Sequence, residues 1–351
     1  MGEKLLMKGN EAIGEAAIRA GCTHFFGYPI TPQNDIPAYM ARELPKIENG
    51  CFLQAESEVA AINMVYGAAG AGARVMTSSS SPGISLKAEG ISYIAGAELP
   101  CVIVNIVRGG PGLGGIQPAQ SDYFQATKGM AHGDFKLVVL APSSVQEAVD
   151  LTMEAFDIAD RYRNPVMVMG DGMIGQMMEP VEFKDIGADD LPDKDWATDG
   201  AKDRDNNIIN SLYLQPEDLE EHNLKLERKY QQIKKDEVKY ETEGMDDAEI
   251  AIVAYGTTAR IVKTAIKQAR SEGIKVGLIR PITLFPFPEQ IINEAADQVD
   301  KFLTVEMSTG QMVEDVKLAV NGKKPVDFYG RTGGMIPSPE EIVEQLKEVR
   351  K

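Results

Sequence analysis

The stretch PCVIVNIVR, residues 100–108, is an almost uninterrupted apolar run that ends on an arginine. Such a run is typical of a strand buried on both faces of a parallel sheet. Further apolar runs flank it, and we interpret them as strands: THFFGY (23–28), CFLQA (51–55), ARVMTS (73–78), KLVVLAP (136–142) and NPVMVMGD (164–171). Helical segments lie between them, such as residues 144–159, where Ser144 and Glu147 form a capping-box pattern. Alternating strands and helices predict an α/β fold with a parallel sheet covered on both faces.

Composition changes near residue 184 and returns to an α/β pattern near residue 248. Residues 184–247 carry 19 acidic and 10 basic side chains in 64 positions, with few apolar clusters. We interpret this segment as a charged linker, either a solvated spacer containing one helix or an arm that docks a subunit. The alternation resumes with EIAIVAYGTTARIVKTAI at 249–266. The predicted domains are therefore 1–183 and 248–351, joined by the linker 184–247.

The overall charge of −17 argues against nucleic acid and anionic membranes as main partners. No apolar run is long enough to span a bilayer and no secretory signal is recognisable, so we expect a cytoplasmic protein. The three cysteines, Cys22, Cys51 and Cys101, are isolated, and three thiols cannot supply the four ligands that an iron–sulfur cluster usually takes. The three histidines have no metal-ligand spacing either. We expect no metal on this chain.

A Gly-Asp-Gly sequence at residues 170–172 follows a predicted strand. Thiamine diphosphate enzymes often hold magnesium with this sequence and a downstream asparagine. Here the candidate asparagines, Asn206 and Asn207, lie in the charged linker. We interpret Asp171 as turn chemistry at a strand end.

The segment YPITPQ, residues 28–33, places a hydroxyl between two prolines after a predicted strand. One interpretation is local: Thr31 caps a helix and Pro32 takes its first position. The other is that this exposed helix start receives an anion. The residues alone leave both interpretations open.

Two other strand ends carry charged residues. Glu56 and Glu58 follow CFLQA, where carboxylates also suit a helix start, and Arg108 ends the buried run before a glycine-rich loop. The carboxyl ends of parallel strands lie at one edge of a sheet, and ligands bind at that edge. A hydroxyl, a carboxylate and a guanidinium would therefore meet around one crevice.

Several motifs together resemble the alpha subunit of 2-oxoacid:ferredoxin oxidoreductases, most closely the branched-chain type. They are YPITP (28–32), ESEVAA (56–61), SSSSPGISLKAEGISY (78–93), RGGPGLGG (108–115) and LAPSSVQEA (140–148). The tail from residue 251 resembles the transketolase C-terminal-type domain of that subunit. The resemblance implies a fold with a pyrimidine-binding thiamine-enzyme domain followed by that domain.

The resemblance also implies the reaction and the partners. A 2-oxo acid is oxidatively decarboxylated with coenzyme A, giving acyl-CoA, carbon dioxide and electrons for ferredoxin. Thiamine diphosphate would be shared with a beta subunit that holds magnesium and the diphosphate. Gamma and ferredoxin-like delta subunits would complete the complex, with [4Fe-4S] clusters on partner subunits.

Site roles follow from the same resemblance. Glu58 would bond the aminopyrimidine ring and activate the cofactor, with Pro29 and Ile30 also binding it. Thr31 and Arg108 would hold the carboxylate and keto oxygen of the substrate, and arginine suits a carboxylate in a dry cleft. The substrate pocket would include Gly109, Gly110, Leu113 and Ile116.

No Lys, Arg or His lies between Arg108 and Asp122, which favours an apolar substrate such as 3-methyl-2-oxobutanoate. Four alternatives remain open at this point. Two are members of the same family that act on 2-oxoglutarate or on pyruvate. The third is a non-catalytic scaffold subunit, and the fourth is the lipoamide-linked dehydrogenase type.

Overall fold

The computed structural model describes residues 4–184 and 192–350. Residues 1–3, 185–191 and 351 lie outside the described residues. The predicted start of the first domain, the predicted end of the second domain and part of the predicted linker therefore lie outside them as well. Within the described ranges, the chain forms two large sheets and one two-stranded sheet.

The first large sheet is built from the segments that the apolar runs predicted, with one addition. Its strands are β2 (His24–Gly27), β3 (Cys51–Gln54), β4 (Val75–Ser79), β5 (Cys101–Val107), β6 (Val138–Leu140), β7 (Pro165–Asp171) and β12 (Thr283–Phe285). Their spatial order is β12-β6-β7-β5-β4-β2-β3, and all pairs are parallel except β12 with β6. The carboxyl ends of β2, β3 and β5 therefore lie at one edge, as expected.

Helices cover both faces of this sheet. They are α1 (Gly9–Arg19), α2 (Asp35–Glu43), α3 (Glu58–Gly70), α4 (Ser81–Gly96), α5 (Tyr123–Thr127), α6 (Val145–Tyr162) and α7 (Gly172–Gln176). A small antiparallel sheet joins β1 (Leu5–Lys8) to β8 (Met178–Val181). At the start of α6, Ser144 accepts a hydrogen bond from the Glu147 amide, but the Glu147 carboxylate binds Ser143 and Arg280. Only one of the two capping-box hydrogen bonds is therefore formed, because the Glu147 carboxylate is paired with the Arg280 guanidinium.

The second large sheet belongs to the C-terminal part of the chain. Its strands are β9 (Tyr240–Glu243), β10 (Ile250–Val253), β11 (Val276–Pro281), β13 (Lys301–Glu306) and β14 (Val326–Gly330), in the order β14-β13-β10-β11-β9. Only β9 is antiparallel to its neighbour among these pairs. The helices that accompany this sheet are α9 (Gly256–Ser271), α10 (Glu289–Ala295), α11 (Met312–Val320) and α12 (Pro339–Val349).

The charged segment contains α8 (Pro216–Asp236). This helix is mostly exposed, as predicted, but Leu226, Tyr230 and Ile233 are buried in the core of the first half. Each half of the chain also contributes to the other. β12 adds an edge strand to the first sheet, and Arg280 of β11 forms an ion pair with Glu147 of α6 at 2.7 Å. The predicted domain boundaries themselves stay a prediction.

Candidate functional site

The loop after β2 is held by contacts from distant parts of the chain. α2 begins at Asp35, so the prediction that Thr31 caps a helix with Pro32 at its first position is wrong. The Thr31 hydroxyl instead accepts a hydrogen bond from the side-chain amide of Asn34 at 3.2 Å. Buried Gln33 accepts one from the Ser78 hydroxyl of β4 at 2.5 Å and donates to the Tyr28 carbonyl at 3.3 Å. These contacts fix the loop without a helix.

Pro29 and Ile30 lie on the same loop, at the edge of the sheet. Pro29 is exposed and Ile30 is half-buried. The Ile30 carbonyl accepts a hydrogen bond from the Gln33 amide at 3.1 Å, which tightens the loop just before Thr31. Both residues therefore follow the carboxyl end of β2, and their assignment to the cofactor stays a prediction.

The two glutamates after β3 differ sharply in their surroundings. Ser57 is the N-cap of α3 and accepts a hydrogen bond from the Ala60 amide at 3.2 Å. Glu56 precedes the cap and is exposed, whereas Glu58 is the first residue of the helix and is only 7% exposed. The Glu58 carboxylate has no hydrogen-bond partner among the described residues. A buried carboxylate without a donor is costly, so this group is available to a ligand.

Arg108 follows β5 and is also buried, with 7% of its surface exposed. Its Nη1 donates to the Thr31 carbonyl at 2.9 Å and its Nη2 to the Leu113 carbonyl at 3.1 Å. Nε is buried and has no partner in the structure. Backbone carbonyls thus position the guanidinium without neutralising its charge, which leaves it able to bind an anion.

The first turn of α4 lies between Arg108 and Glu58. The Ser81 hydroxyl accepts a hydrogen bond from the Arg108 amide at 3.1 Å. Two residues later, a Cβ added at Gly83 would lie 2.9 Å from Oε1 of Glu58. The structure therefore brings Thr31 and Arg108 into direct contact and places Glu58 on the other side of one helical turn.

A cavity of about 550 Å³ opens beside Arg108, between the two halves of the chain. Gly109 and Gly110 line it, together with side chains from α4, α5 and the second half. Leu113 and Ile116 lie outside this lining and are 85% and 56% exposed. In this structure the predicted pocket residues therefore separate into two that line the cavity and two that face outward.

Asp122 also lines this cavity, and no sequence motif predicted a role for it. It accepts a hydrogen bond from the Asn105 amide of β5 at 3.0 Å, and burial raises the pKa of its carboxyl above the usual range. Gln33 was missed as well. Nothing local marks either residue, because their roles depend on contacts with β4 and β5.

Asp171 of the Gly-Asp-Gly sequence is 3% exposed and caps α7. Its Oδ1 accepts hydrogen bonds from the amides of Met173 and Ile174 at 2.9 and 3.2 Å. The interpretation of this residue as turn chemistry is consistent with that geometry. Within the described ranges, no cluster of three or more His, Cys, Asp or Glu side chains is arranged to hold a metal. In the same ranges, no helix is both long and apolar enough to cross a membrane.

Two family models match the chain. Residues 15–242 match the model described as pyruvate flavodoxin/ferredoxin oxidoreductase, thiamine diphosphate-binding, and residues 248–342 match pyruvate:ferredoxin oxidoreductase core domain II. Ketoisovalerate oxidoreductase subunit VorB of Methanothermobacter thermautotrophicus is 52% identical over 98% of this chain and 97% of the relative. VorB of Methanothermobacter marburgensis is 50% identical over the same shares. The 2-oxoglutarate synthase subunit KorA of M. thermautotrophicus is 38% identical over the whole of both chains.

Two solved structures are similar. The 2-oxoglutarate:ferredoxin oxidoreductase of Magnetococcus marinus, solved with 2-oxoglutarate, coenzyme A and succinyl-CoA, has a TM-score of 0.88 at 27% identity. The match covers all of this chain but 66% of that one, just under two thirds of its length. A split-gene transketolase, described as an inactive beta4 tetramer, has a TM-score of 0.61 at 14% identity over 99% of this chain and 98% of that one. The second likeness shows the fold alone.

Proposed function

This chain belongs to the thiamine diphosphate-dependent 2-oxoacid:ferredoxin oxidoreductase family, and from that premise we propose that it is the subunit that holds the pyrimidine side of the cofactor and the 2-oxo acid. The proposed reaction is oxidative decarboxylation of 3-methyl-2-oxobutanoate with coenzyme A, with ferredoxin as electron acceptor. The observation that carries the proposal is that two buried charged residues without a salt bridge to a described residue, Glu58 and Arg108, lie at one edge of the sheet.

The residues present fit the aminopyrimidine ring of thiamine diphosphate. Glu58 is buried at the first position of α3, and no described residue donates a hydrogen bond to its carboxylate. Gly83 lets α4 pack closely here, since a Cβ at this position would lie 2.1 Å from the Ser79 hydroxyl and 2.9 Å from Oε1 of Glu58. Bound there, the cofactor would supply the electron sink for decarboxylation. In our proposal the Glu58 carboxyl group exchanges a proton with the ring nitrogen, while Pro29 and Ile30 bound the ring.

Arg108 and Thr31 are proposed to bind the acid. The guanidinium is fixed by the carbonyls of Thr31 and Leu113, so its remaining donor directions are set before the substrate arrives. A preorganised guanidinium in a dry cleft binds a carboxylate directionally. The Thr31 hydroxyl lies in the same loop and can donate to the keto oxygen while it accepts from Asn34.

The lining of the cavity supports an uncharged substrate tail. Arg108 is the one basic side chain among its described lining residues, whereas Asp122 adds a carboxyl group. A 2-oxoglutarate enzyme needs a second cation for the distal carboxylate. The relatives named as ketoisovalerate enzymes are also more similar, at 52% and 50%, than those named as 2-oxoglutarate enzymes, at 38%. The comparisons likewise do not favour a pyruvate enzyme or a non-catalytic scaffold.

We assign magnesium, the diphosphate and the [4Fe-4S] clusters to partner subunits of the beta, gamma and delta types. Asp171 is engaged as a helix cap, and burial raises the pKa of the Cys22 and Cys101 thiols to about 12, which disfavours the thiolate that a cluster binds. The beta subunit is proposed to dock beside Glu58. There, Val59 and Leu86 on α3 and α4 expose apolar side chains.

A substrate panel on the complex with its partner subunits tests this proposal. We expect the highest kcat/KM, measured by ferredoxin reduction with coenzyme A, for 3-methyl-2-oxobutanoate, with pyruvate and 2-oxoglutarate used poorly. The matched control for 3-methyl-2-oxobutanoate is 2-oxobutanoate, the unbranched acid with the same main-chain length. A preference for 2-oxoglutarate would show that a cation outside this cavity reaches the substrate and would contradict the assignment of the tail.

A further inference from the structure

Lys87 is a fully buried lysine in the middle of α4, close to the candidate site. Its Nζ donates to the Thr77 hydroxyl at 2.6 Å and to the Ser78 carbonyl at 3.0 Å, both on β4. No carboxylate within the described ranges forms a salt bridge with it. Burying an ammonium group with only neutral partners costs stability, and such a group often marks a functional site.

Lys87 lies on the face of α4 that packs against α3, the helix that carries Glu58. Gly83 and Gly90 lie on the same face of α4 as Lys87, one turn before it and nearly one turn after it. A Cβ at Gly83 would lie 2.9 Å from Glu58 Oε1, and a Cβ at Gly90 would lie 2.5 Å from Ile62 Cγ2. Lys87 therefore sits between the two points where α4 touches α3.

The direction of the side chain supports the same conclusion. Side chains on a helix lean toward its N-terminus, which for Lys87 is the end that carries Gly83. The Nζ contacts with Thr77 and Ser78 confirm that direction, because these residues immediately precede α4. The Ser79 hydroxyl is also buried without a partner, and a Cβ at Gly83 would lie 2.1 Å from it. The polar groups of Lys87 and of residues 77–79 thus lie close to the first turn of α4, which also contacts Glu58.

We propose that Lys87 is a positioning residue whose ammonium group acts as the internal counter-charge of Glu58 and sets the charge that this carboxyl group presents to its ligand. The inference rests on the proposed function, in which Glu58 exchanges a proton with the cofactor. A nearby positive charge favours the ionised form of a carboxyl group. Lys87 itself touches neither substrate nor cofactor.

The electrostatics of Lys87 make this effect sensitive to pH. Burial lowers the pKa of Lys87 to about 7, and the Glu58 carboxylate opposes that shift. The other titratable group that acts on it is Cys101 of β5, whose pKa is raised by burial to about 12, so that this thiol stays neutral. Lys87 is therefore charged below pH 7 and loses its charge above it.

The first test needs no cofactor. In the full-length chain carrying lysine labelled with ¹³C at Cε, NMR would follow the titration of Lys87, assigned with the Lys87→Met variant. We expect Glu58→Gln to lower the pKa of Lys87, because it removes the opposing negative charge. Glu56→Gln, an exposed carboxylate two residues away, is the matched control and should leave the titration unchanged. Equal titration of Lys87 in wild type and Glu58→Gln would overturn the proposal.

The second test uses the assembled complex. Lys87→Met should slow hydrogen–deuterium exchange at C2 of the cofactor on the order of 10-fold at pH 6, and the difference should shrink at pH 8.5, where wild-type Lys87 is neutral. Lys229→Met is the control, since Lys229 is another buried lysine whose pKa is lowered, to about 8, and it pairs with the distant Glu98. An equal deficit at both pH values would show a structural role and overturn the proposal. Normal exchange in Glu58→Gln would instead refute the proposed function, whatever Lys87 does.

Discussion

At the scale of single residues, the site consists of two charged groups that the fold buries without a salt bridge. Arg108 and Glu58 are each 7% exposed, and neither forms a salt bridge within the described ranges. A buried charge without a counter-charge destabilises a protein. Arg108 recovers part of that cost through two carbonyl groups. Glu58 recovers part of it through its position at the start of α3 and, in our proposal, through Lys87. Both side chains are thus held ready for groups that the chain itself does not supply.

Arg108→Ala should weaken use of the 2-oxo acid by about 2 to 5 kcal/mol, the range for removing one partner of a buried charged pair. Binding of thiamine diphosphate should change little, because Glu58 and α4 keep their contacts. The measurement is kcat/KM for 3-methyl-2-oxobutanoate in the assembled complex, with cofactor affinity measured in parallel. Arg108→Lys is the control, because it keeps the positive charge but loses the planar guanidinium group that binds a carboxylate through two hydrogen bonds. Its kcat/KM should lie between those of wild type and Arg108→Ala. An unchanged kcat/KM in Arg108→Ala would show that the carboxylate binds elsewhere.

At the scale of secondary-structure elements, close contact between α3 and α4 places Glu58 where it is. Two glycines of α4 make the contact possible: a Cβ at Gly83 would collide with Ser79 and approach Glu58, and one at Gly90 would collide with Ile62. Gly67 on α3 has no atom within 4 Å of its would-be Cβ. The glycines of this helix pair therefore serve different purposes.

Gly90→Ala should lower the free energy of unfolding by about 1 to 3 kcal/mol, because Ile62 is buried, β-branched and unable to move aside cheaply. Gly67→Ala is the matched control and should raise stability by up to about 1 kcal/mol through helix propensity alone. Urea unfolding of the full-length chain measures both. If Gly90→Ala proved as stable as Gly67→Ala, close packing would not position α3 against α4.

The local pattern of apolar residues predicted most of these strands and helices, but not the tertiary contacts that set where some of them begin. The strands β2, β3, β4, β5, β6 and β7 follow from apolar runs, since a buried strand has few alternatives. The start of α2 does not follow, because residues 31–34 are held by Arg108 and Ser78, which are distant in sequence. The same holds for β12, a short strand that crosses from the second half into the first sheet.

At the scale of the whole molecule, the candidate site lies where the two halves meet. Gln120 joins them: its Nε2 donates to the Tyr255 carbonyl at 2.9 Å, and its Oε1 accepts from the Thr258 hydroxyl at 2.7 Å and the Met307 amide at 2.9 Å. The adjoining cavity takes its lining from both halves. Motifs in the sequence predicted Thr31, Glu58 and Arg108 as site residues, and their roles stay a prediction. The contribution of the second half to the cavity could not be predicted from them, because it depends on this docking. The division of cofactor and clusters among subunits stays our proposal.

The proposed role of Glu58 is tested by hydrogen–deuterium exchange at C2 of thiamine diphosphate in the assembled complex, with Glu58→Gln and Glu56→Gln compared. Glu58→Gln keeps the size of the side chain and removes its acid, so exchange should slow by about 10² to 10⁴ while the cofactor still binds. Glu56→Gln should exchange at nearly the wild-type rate, since Glu56 is exposed. Equal rates in wild type and Glu58→Gln would contradict the account, and slow exchange in Glu56→Gln alone would show that the other carboxylate serves the cofactor.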